Sequence, residues 1–366
     1  MKVALITPEF PPDCGGIGYY VFYLAKALAA AGVDATVMVR ARADREEKTA
    51  DGVRVRYLGV PGIPPFNHPL FRRRLGKEMR RGGWGLAHIH SSSMPALREA
   101  PTVLTSHWCI KEGTRLFYRP IDNYESLYRN IMFKAYCLAE NRLIRGCGRF
   151  TVVSGSMGED YLRHYGVKST VVYNGVDAGV FRPAKKKRSG DKVVYIGSLK
   201  RGKGVLDLLD AIVILNRTNP RINYYIYGSG PLKGRIGEYI AGRSLRNVHM
   251  PGPVRHDELA GILAEAAVFV LPSYYEGLPN SILEAMACET PVAASAVKGS
   301  SELVSHEVNG LLFEKKNPAD LAEKLGRLLG SPRLRAEMGR NGRTLVTENY
   351  TWEMVAGRFA DCYKGV

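Results

Sequence analysis

Two successive series of short β-rich runs alternating with helical stretches constrain this chain more than any other feature. In the first half, strands are predicted at Lys2–Thr7, Ala35–Val39, Val53–Leu58, Ala87–His90, Thr102–Ser106, Phe150–Val153 and Thr170–Tyr173, with helical spacing at Tyr20–Ala31 and Glu125–Ile144. A second series gives strands at Val193–Ile196, Tyr224–Tyr227, Val248–Met250, Val268–Leu271 and Val292–Ala294, with helices at Val205–Leu215 and Ser281–Ala287. Strand–helix alternation implies a parallel sheet covered on both faces. At 366 residues the chain is too long for one ordinary core. The polar stretch Pro183–Asp191, with Lys185, Lys186, Lys187 and Arg188, reads as a linker, so two α/β domains meeting near residue 184 are expected.

Composition narrows the class. The N-terminus MKVALITPEF reads as a strand and lacks the apolar core and small-residue cleavage site of a signal peptide. No apolar run is long enough to span a membrane. Six cysteines are scattered without CxxC spacing, which argues against zinc and fits reduced thiols in a cytoplasmic protein. The net charge is +17, with 26 Lys/Arg against 16 Asp/Glu in residues 1–183 and 26 against 19 in residues 184–366. Nucleic acid, an anionic membrane and phosphorylated substrates are all compatible partners.

Ligands of open parallel sheets sit beyond the carboxyl ends of the strands, so the loops there carry the chemistry. The sharpest is Glu276-Gly-Leu-Pro-Asn-Ser-Ile-Leu-Glu284. Gly277 and Pro279 shape a turn, and Asn280 or Ser281 can cap the helix that follows, whose N–H groups favour an anion such as a pyrophosphate. Glu284, one turn in, can accept hydrogen bonds from vicinal ribose hydroxyls. Taken alone, the same residues describe an ordinary capped helix with two solvated glutamates. Three further loops change that balance. Gly197–Gly204 is a basic glycine turn with Ser198, Lys200, Arg201 and Lys203, but without Walker A order. Tyr227–Pro231 carries Gly228 and Gly230 without the G-x-G-x-x-G of nicotinamide sites. Gly252-Pro-Val254 can edge a nucleobase. Four such strand ends in one domain point to a nucleotide.

As a set these residues resemble the GT-B-fold retaining glycosyltransferases of family 4, over nearly the whole chain. The resemblance implies two Rossmann-like domains with a cleft between them: residues 1–183 on the acceptor side, and residues 184–349 holding the nucleotide-sugar. Residues 350–366 would form a helix crossing back to the first domain. It implies that Glu284 binds the donor ribose, Glu276 contacts the transferred sugar and Lys203 meets the diphosphate, with Leu278, Asn280 and Ser281 completing the donor stretch. Ser198 stands where the family has an arginine, which leaves Arg201 or Lys200 as substitutes. Glu289 stands at a family glycine, and Lys298-Gly299 at a glycine pair. In the first half, Pro8–Gly18, with Gly15 and Gly16, looks like the family's first strand–helix loop, where glycines let backbone approach the donor phosphates. His107 matches a histidine placed near the reacting sugar. His88 and His90 read as structural or acceptor-side, not as metal ligands.

The implied reaction moves a hexose-type sugar from a nucleotide-sugar, UDP- or GDP-linked, to a glycan or lipid-linked sugar, with retention and no further cofactor. No D-x-D occurs, so cations rather than a metal would neutralise the leaving diphosphate. A front-face process assisted by that phosphate is expected, because no carboxylate on the first domain is placed as a nucleophile. Two competitors remain at this stage: a non-hydrolysing sugar-nucleotide epimerase of the same fold, and a nucleic-acid binder. Against the second, no RNA or DNA module is recognisable. Finally, Phe71–Arg81 places Phe71, Leu75 and Met79 on one helical face among six basic residues. That pattern predicts peripheral binding to anionic lipid at the inner membrane face; the other reading is a surface helix packed on its own sheet.

Overall fold

A computed structural model describes residues 1–12, 14–60, 67–90, 97–115, 124–184 and 190–366. Lys185–Arg188, the basic part of the expected linker, lies outside them. The chain divides into two compact units: Met1–Gly175 with Trp352–Val366, and Val176–Thr351.

The first unit runs β1 (Lys2–Thr7), α1 (Gly16–Ala30), β2 (Asp34–Ala41), β3 (Arg45–Lys48), β4 (Arg54–Gly59), α2 (Asn67–Arg81), β5 (Leu86–Ile89), β6 (Thr102–Ser106), α3 (Ile110–Arg115), α4 (Tyr124–Gly146), β7 (Arg149–Val152), α5 (Gly155–Tyr165) and β8 (Thr170–Val171). Among the described residues its sheet has the order β3-β4-β2-β1-β5-β6-β7-β8, parallel except for the β3–β4 pair. Strand β1 is almost wholly apolar because both its faces are covered. Strand β3 carries no apolar pattern to read. All four of its residues are exposed, and it is held to β4 by the Arg56–Glu46 ion pair, by Tyr57 Oη donating to Glu47 at 2.7 Å, and by Arg45 lying over the Tyr57 ring.

The second unit runs β9 (Lys192–Ile196), a 3-10 turn (Arg201–Lys203), α6 (Val205–Leu215), β10 (Asn223–Tyr227), α7 (Lys233–Gly242), β11 (Val248–Gly252), α8 (His256–Glu265), β12 (Val268–Leu271), α9 (Asn280–Ala287), β13 (Val292–Ser295), α10 (Lys298–Leu303), β14 (Gly310–Phe313), α11 (Pro318–Gly330) and α12 (Pro332–Asn349). Its parallel sheet has the order β11-β10-β9-β12-β13-β14. The last helix, α13 (Trp352–Lys364), belongs to the first unit. There Trp352, Val355 and Phe359 share one core with Tyr20, Leu24 and Leu28 of α1 and Val3 and Leu5 of β1.

The boundary falls at Gly175/Val176 rather than at 183/184, for a local reason. Val176 pairs with Thr351 and donates its N–H to Tyr350 O at 2.7 Å. Phe181 is buried against His256, and its carbonyl accepts from Arg343 at 3.3 Å. These bonds tie residues 176–183 to the second unit, and the return crossing shifts to Thr351/Trp352 in step.

Helix α2 corrects the membrane expectation. Phe71, Leu75 and Met79 are buried within the unit, so the apolar stripe has no surface to offer lipid. Packing is toward β4, where Glu78 pairs with Arg56, while Arg74 and Arg80 pair with Asp44 and Glu99. The basic residues of α2 decorate a helix docked on its own sheet.

The glycine replaced by Glu289 has a visible purpose. This residue follows α9 with φ of +57°, a left-handed conformation that costs an L side chain about 1–2 kcal/mol. Glu289→Gly should therefore raise the melting temperature by up to about 4 °C, the relief being partly offset by the freer unfolded chain. A calorimetric scan of the two proteins checks this; a lower melting temperature would show that what the Glu289 side chain contributes outweighs the strain of its backbone.

His88, His90 and His107 lie together at the carboxyl ends of β5 and β6, and burial keeps all three neutral, His107 down to about 3. An unfolded histidine takes up its proton near 6.5, so the unfolded chain binds more protons below that value. Stability is thus fully present above about pH 6.5 and declines as pH falls toward 3, by up to about 1.4 kcal/mol per pH unit for each histidine. Urea melts at pH 7 and 5 that coincide would contradict this.

Candidate functional site

In the second unit the strand order reverses between β9 and β12, and such a switch point opens a crevice at the strand ends. Three loops on the β9 side are laced together through backbone. Gly197 N–H donates to Tyr227 O at 3.1 Å, Leu199 N–H to Ser229 O at 2.8 Å and Gly228 N–H to Gly252 O at 2.9 Å. A Cβ on Gly228 would stand 1.9 Å from Gly197 O, and one on Gly230 2.5 Å from Leu199 O, so side chains at either position would part the loops. Half-buried Val254 follows Gly252 and packs against Val194, Tyr227 and Ala266.

Across the switch point, the β9 and β12 loops are fastened twice. Tyr274 N–H donates to Gly202 O at 2.8 Å. Gly204, at φ of +63°, backs so closely onto Pro272 that a Cβ would lie 1.9 Å from the Pro272 carbonyl oxygen. Those contacts bring Lys203 Nζ to 2.6 Å from Glu276 Oε1. The Glu276 side chain is only 10% exposed against 28% for Lys203, so the pair is largely withdrawn from water and stronger than a surface bridge. Gly299 of α10 supports the loop from behind, because a Cβ there would come within 2.5 Å of the carbonyl oxygens of Glu276 and Gly277.

Helix α9 begins differently from the expectation. Pro279 is the N-cap, in extended backbone, and no side-chain oxygen caps the helix; Asn280 opens the first turn instead. Proline has no side-chain acceptor to offer, and Asn280 and Ser281 lie inside the helix, where their side chains are past the capping position. Leu278 is buried beneath the turn. Glu284 is half-buried, and burial pushes its carboxyl up to about 7. The two glutamates therefore differ in kind: Glu276 is an ion-paired carboxylate, whereas Glu284 is desolvated without a salt bridge among the described residues.

Ser198, at the family's arginine position, brings no charge. Its carbonyl accepts from Tyr195 Oη at 3.0 Å, and its side chain is half-buried. Lys200 and Arg201 are exposed on the turn before Lys203, and the Arg201 charge acts on Tyr274, two residues before Glu276. Tyr274 was not foreseen as part of the site; only its position just before Glu276 hinted at it. Burial and its hydrogen bond with Asp207 raise the pKa of its phenol, which stays neutral.

In the first unit, Gly15 and Gly16 lie exposed at the start of α1. Glu9, unremarked in the sequence, accepts a hydrogen bond from Gly18 N–H at 3.3 Å, so a carboxylate engages this helix end. Half-buried His107 packs edge-to-face on Tyr20 with centroids 4.5 Å apart, and its Nε2 lies 3.4 Å from His90 Nδ1. His88, expected with His90 to be structural or acceptor-side, bridges Tyr363 Oη and Thr105 Oγ1 at 2.7 Å each, a structural use of both ring nitrogens.

A cation and a carboxylate at a switch point, beside glycine loops closed up to backbone contact, suit a phosphorylated ligand carrying hydroxyls. Comparison with known proteins agrees. The family model for glycosyl transferases group 1 matches residues 180–345, and that for glycosyltransferase family 4 matches residues 14–180. The glycogen synthase of Mycobacterium tuberculosis strain H37Rv is 27% identical over 99% of this chain and 94% of its own. Among solved structures, the sucrose-phosphate synthase of Thermosynechococcus elongatus superposes with a TM-score of 0.85 at 24% identity, covering 99% of this chain and 98% of its own. HepE of Anabaena in complex with UDP and glucose gives 0.76 at 16% identity over 100% of both chains. The two matched segments adjoin at residue 180 and together take in the whole second sheet, the first sheet apart from β1, and the Lys203–Glu276 pair: the chain belongs to the GT-B-fold glycosyltransferases of family 4.

Proposed function

We propose that the enzyme transfers a hexose from a UDP- or GDP-sugar to a glycan or lipid-linked sugar, with retention of configuration and without a metal. The Lys203–Glu276 ion pair at the β9–β12 switch point carries this reading. Cleavage at the anomeric carbon leaves a nucleoside diphosphate bearing new negative charge. Lys203 Nζ, supported by Arg201 and Lys200, would meet that charge, and Glu276, released from the lysine, would accept hydrogen bonds from the sugar hydroxyls. Glu284, ionised, would receive the two ribose hydroxyls. His107 would donate to an oxygen of the transferred sugar. The solved complex of HepE with UDP and glucose supports a uridine donor by analogy of fold. Metal independence rests on the missing D-x-D and on three cations within four residues. An epimerase would need acid and base groups for proton transfer at the sugar, and Glu276 held by Lys203 is poorly suited to that.

Incubation with UDP-, GDP- and ADP-sugars tests the reading: slow release of free nucleotide is expected from one of them, and an epimerised donor would overturn transfer. Lys203→Ala should lower kcat by about 10²–10³-fold, the usual cost of one preorganised charge donor.

Glu284→Gln should weaken nucleotide binding, while Glu276→Gln should mainly lower kcat; near-wild-type kinetics in both variants would remove them from the site. Because ribose hydroxyls favour the ionised carboxyl, donor affinity should rise with pH and level off above about 7. Below that value it should fall by up to about tenfold per pH unit, a dependence that Glu284→Gln abolishes and isothermal titration can follow.

Activity should survive exhaustive EDTA treatment. Complete loss restored by Mn²⁺ would show a metal role.

A further inference from the structure

His90 is fully buried, and its two ring nitrogens have unequal surroundings. Nδ1 lies 3.4 Å from His107 Nε2, while Nε2 finds no hydrogen-bond partner among the described residues. A neutral imidazole carries one proton, on one nitrogen only. Placed on Nε2, that proton would be a buried donor with no acceptor, the costliest kind of unsatisfied group. Placed on Nδ1, it makes a hydrogen bond to His107 and leaves only an unused lone pair behind. His88 does not compete for it, because both His88 nitrogens are taken by the Tyr363 and Thr105 hydroxyls. Burial keeps all three rings neutral, so no second proton blurs the assignment.

The consequence passes to His107. With Nε2 accepting from His90, its own proton must sit on Nδ1. Tyr20, edge-to-face at 4.5 Å, fixes the plane of the ring. We propose that His90 is a positioning residue that locks His107 in the Nδ1–H form, making it a hydrogen-bond donor to an oxygen of the bound sugar rather than a base. What His107 meets rests on the function proposed above; the lock itself does not. His90 touches no substrate in this scheme, and its whole effect is on which nitrogen of its neighbour carries hydrogen.

Long-range ¹H–¹⁵N correlation spectra of the full-length protein with labelled histidine read the tautomer directly. The wild type should show His107 protonated at Nδ1 and bare at Nε2, and this spectrum decides the lock whether or not any variant folds. In His90→Leu the His107 proton should move toward Nε2, whereas His90→Asn, whose amide N–H can take the place of Nδ1–H, should keep it on Nδ1. Loss of one hydrogen bond to a site of developing charge should lower kcat by about 10–100-fold in His90→Leu, with the donor KM nearly unchanged and His90→Asn close to wild type. An Nε2–H His107 in the wild type, or an unmoved proton in His90→Leu, overturns the lock. A moved proton with unchanged kcat upholds the lock and overturns the placing of His107 on the sugar.

Discussion

Two loops of the second unit meet backbone to backbone where Gly204 backs onto the Pro272 carbonyl, with no room for a Cβ between them, and the placing of Lys203 against Glu276 depends on it. Lysine and glutamate have long side chains that seldom hold one geometry at a surface, where the entropy of fixing them offsets most of the Coulomb gain. Here the contact sets the separation of the β9 and β12 loops before either side chain is placed. The Gly202–Tyr274 hydrogen bond and the Gly299 support then remove the remaining freedom. The ion pair is the outcome of that rigid frame rather than its cause.

The frame also explains why the two glutamates of one short motif behave differently. Glu276 sits on the loop, within reach of Lys203, and remains a paired carboxylate. Glu284 sits a turn into α9, where burial disfavours its charge. Eight residues of spacing thus separate an ion-paired carboxylate from one whose charge burial disfavours. Opposed environments acting on chemically identical side chains are a recurring way for a site to divide its tasks.

Much of this was legible in the sequence, and what was not has specific physical causes. Strands such as Val268–Leu271 and the helix Val205–Leu215 were readable to the residue, because full burial writes an unbroken apolar run or a 3.6-residue period. Glu276, Lys203 and the glycines were visible because they follow such strands. Strand β3 was invisible, since charge pairs and a cation over Tyr57 hold it rather than buried apolar faces. The cap of α9 was misjudged because Asn280 and Ser281 are good capping residues whatever the register, and only the backbone reveals Pro279 in that place. The stripe Phe71, Leu75 and Met79 shows the limit of periodicity: it identifies an apolar face without saying what covers it. The bond between His90 and His107 joins the ends of two different strands, and no local pattern encodes it.

The return of α13 to the first unit has a consequence for how the chain is made. The second unit is continuous in sequence, from Val176 to Thr351, whereas the first closes only when Trp352, Phe359 and Tyr363 reach Tyr20, Leu24 and Val3. During synthesis the later-encoded unit can thus finish its core while the earlier one still waits for its last helix. Until α13 has been made, the part of α1 that it covers stays open, which is the usual opening for a chaperone or for aggregation. N-terminal first, the common order for multidomain chains, is thus opposed here by the thirteen residues of α13, which are encoded after the whole second unit.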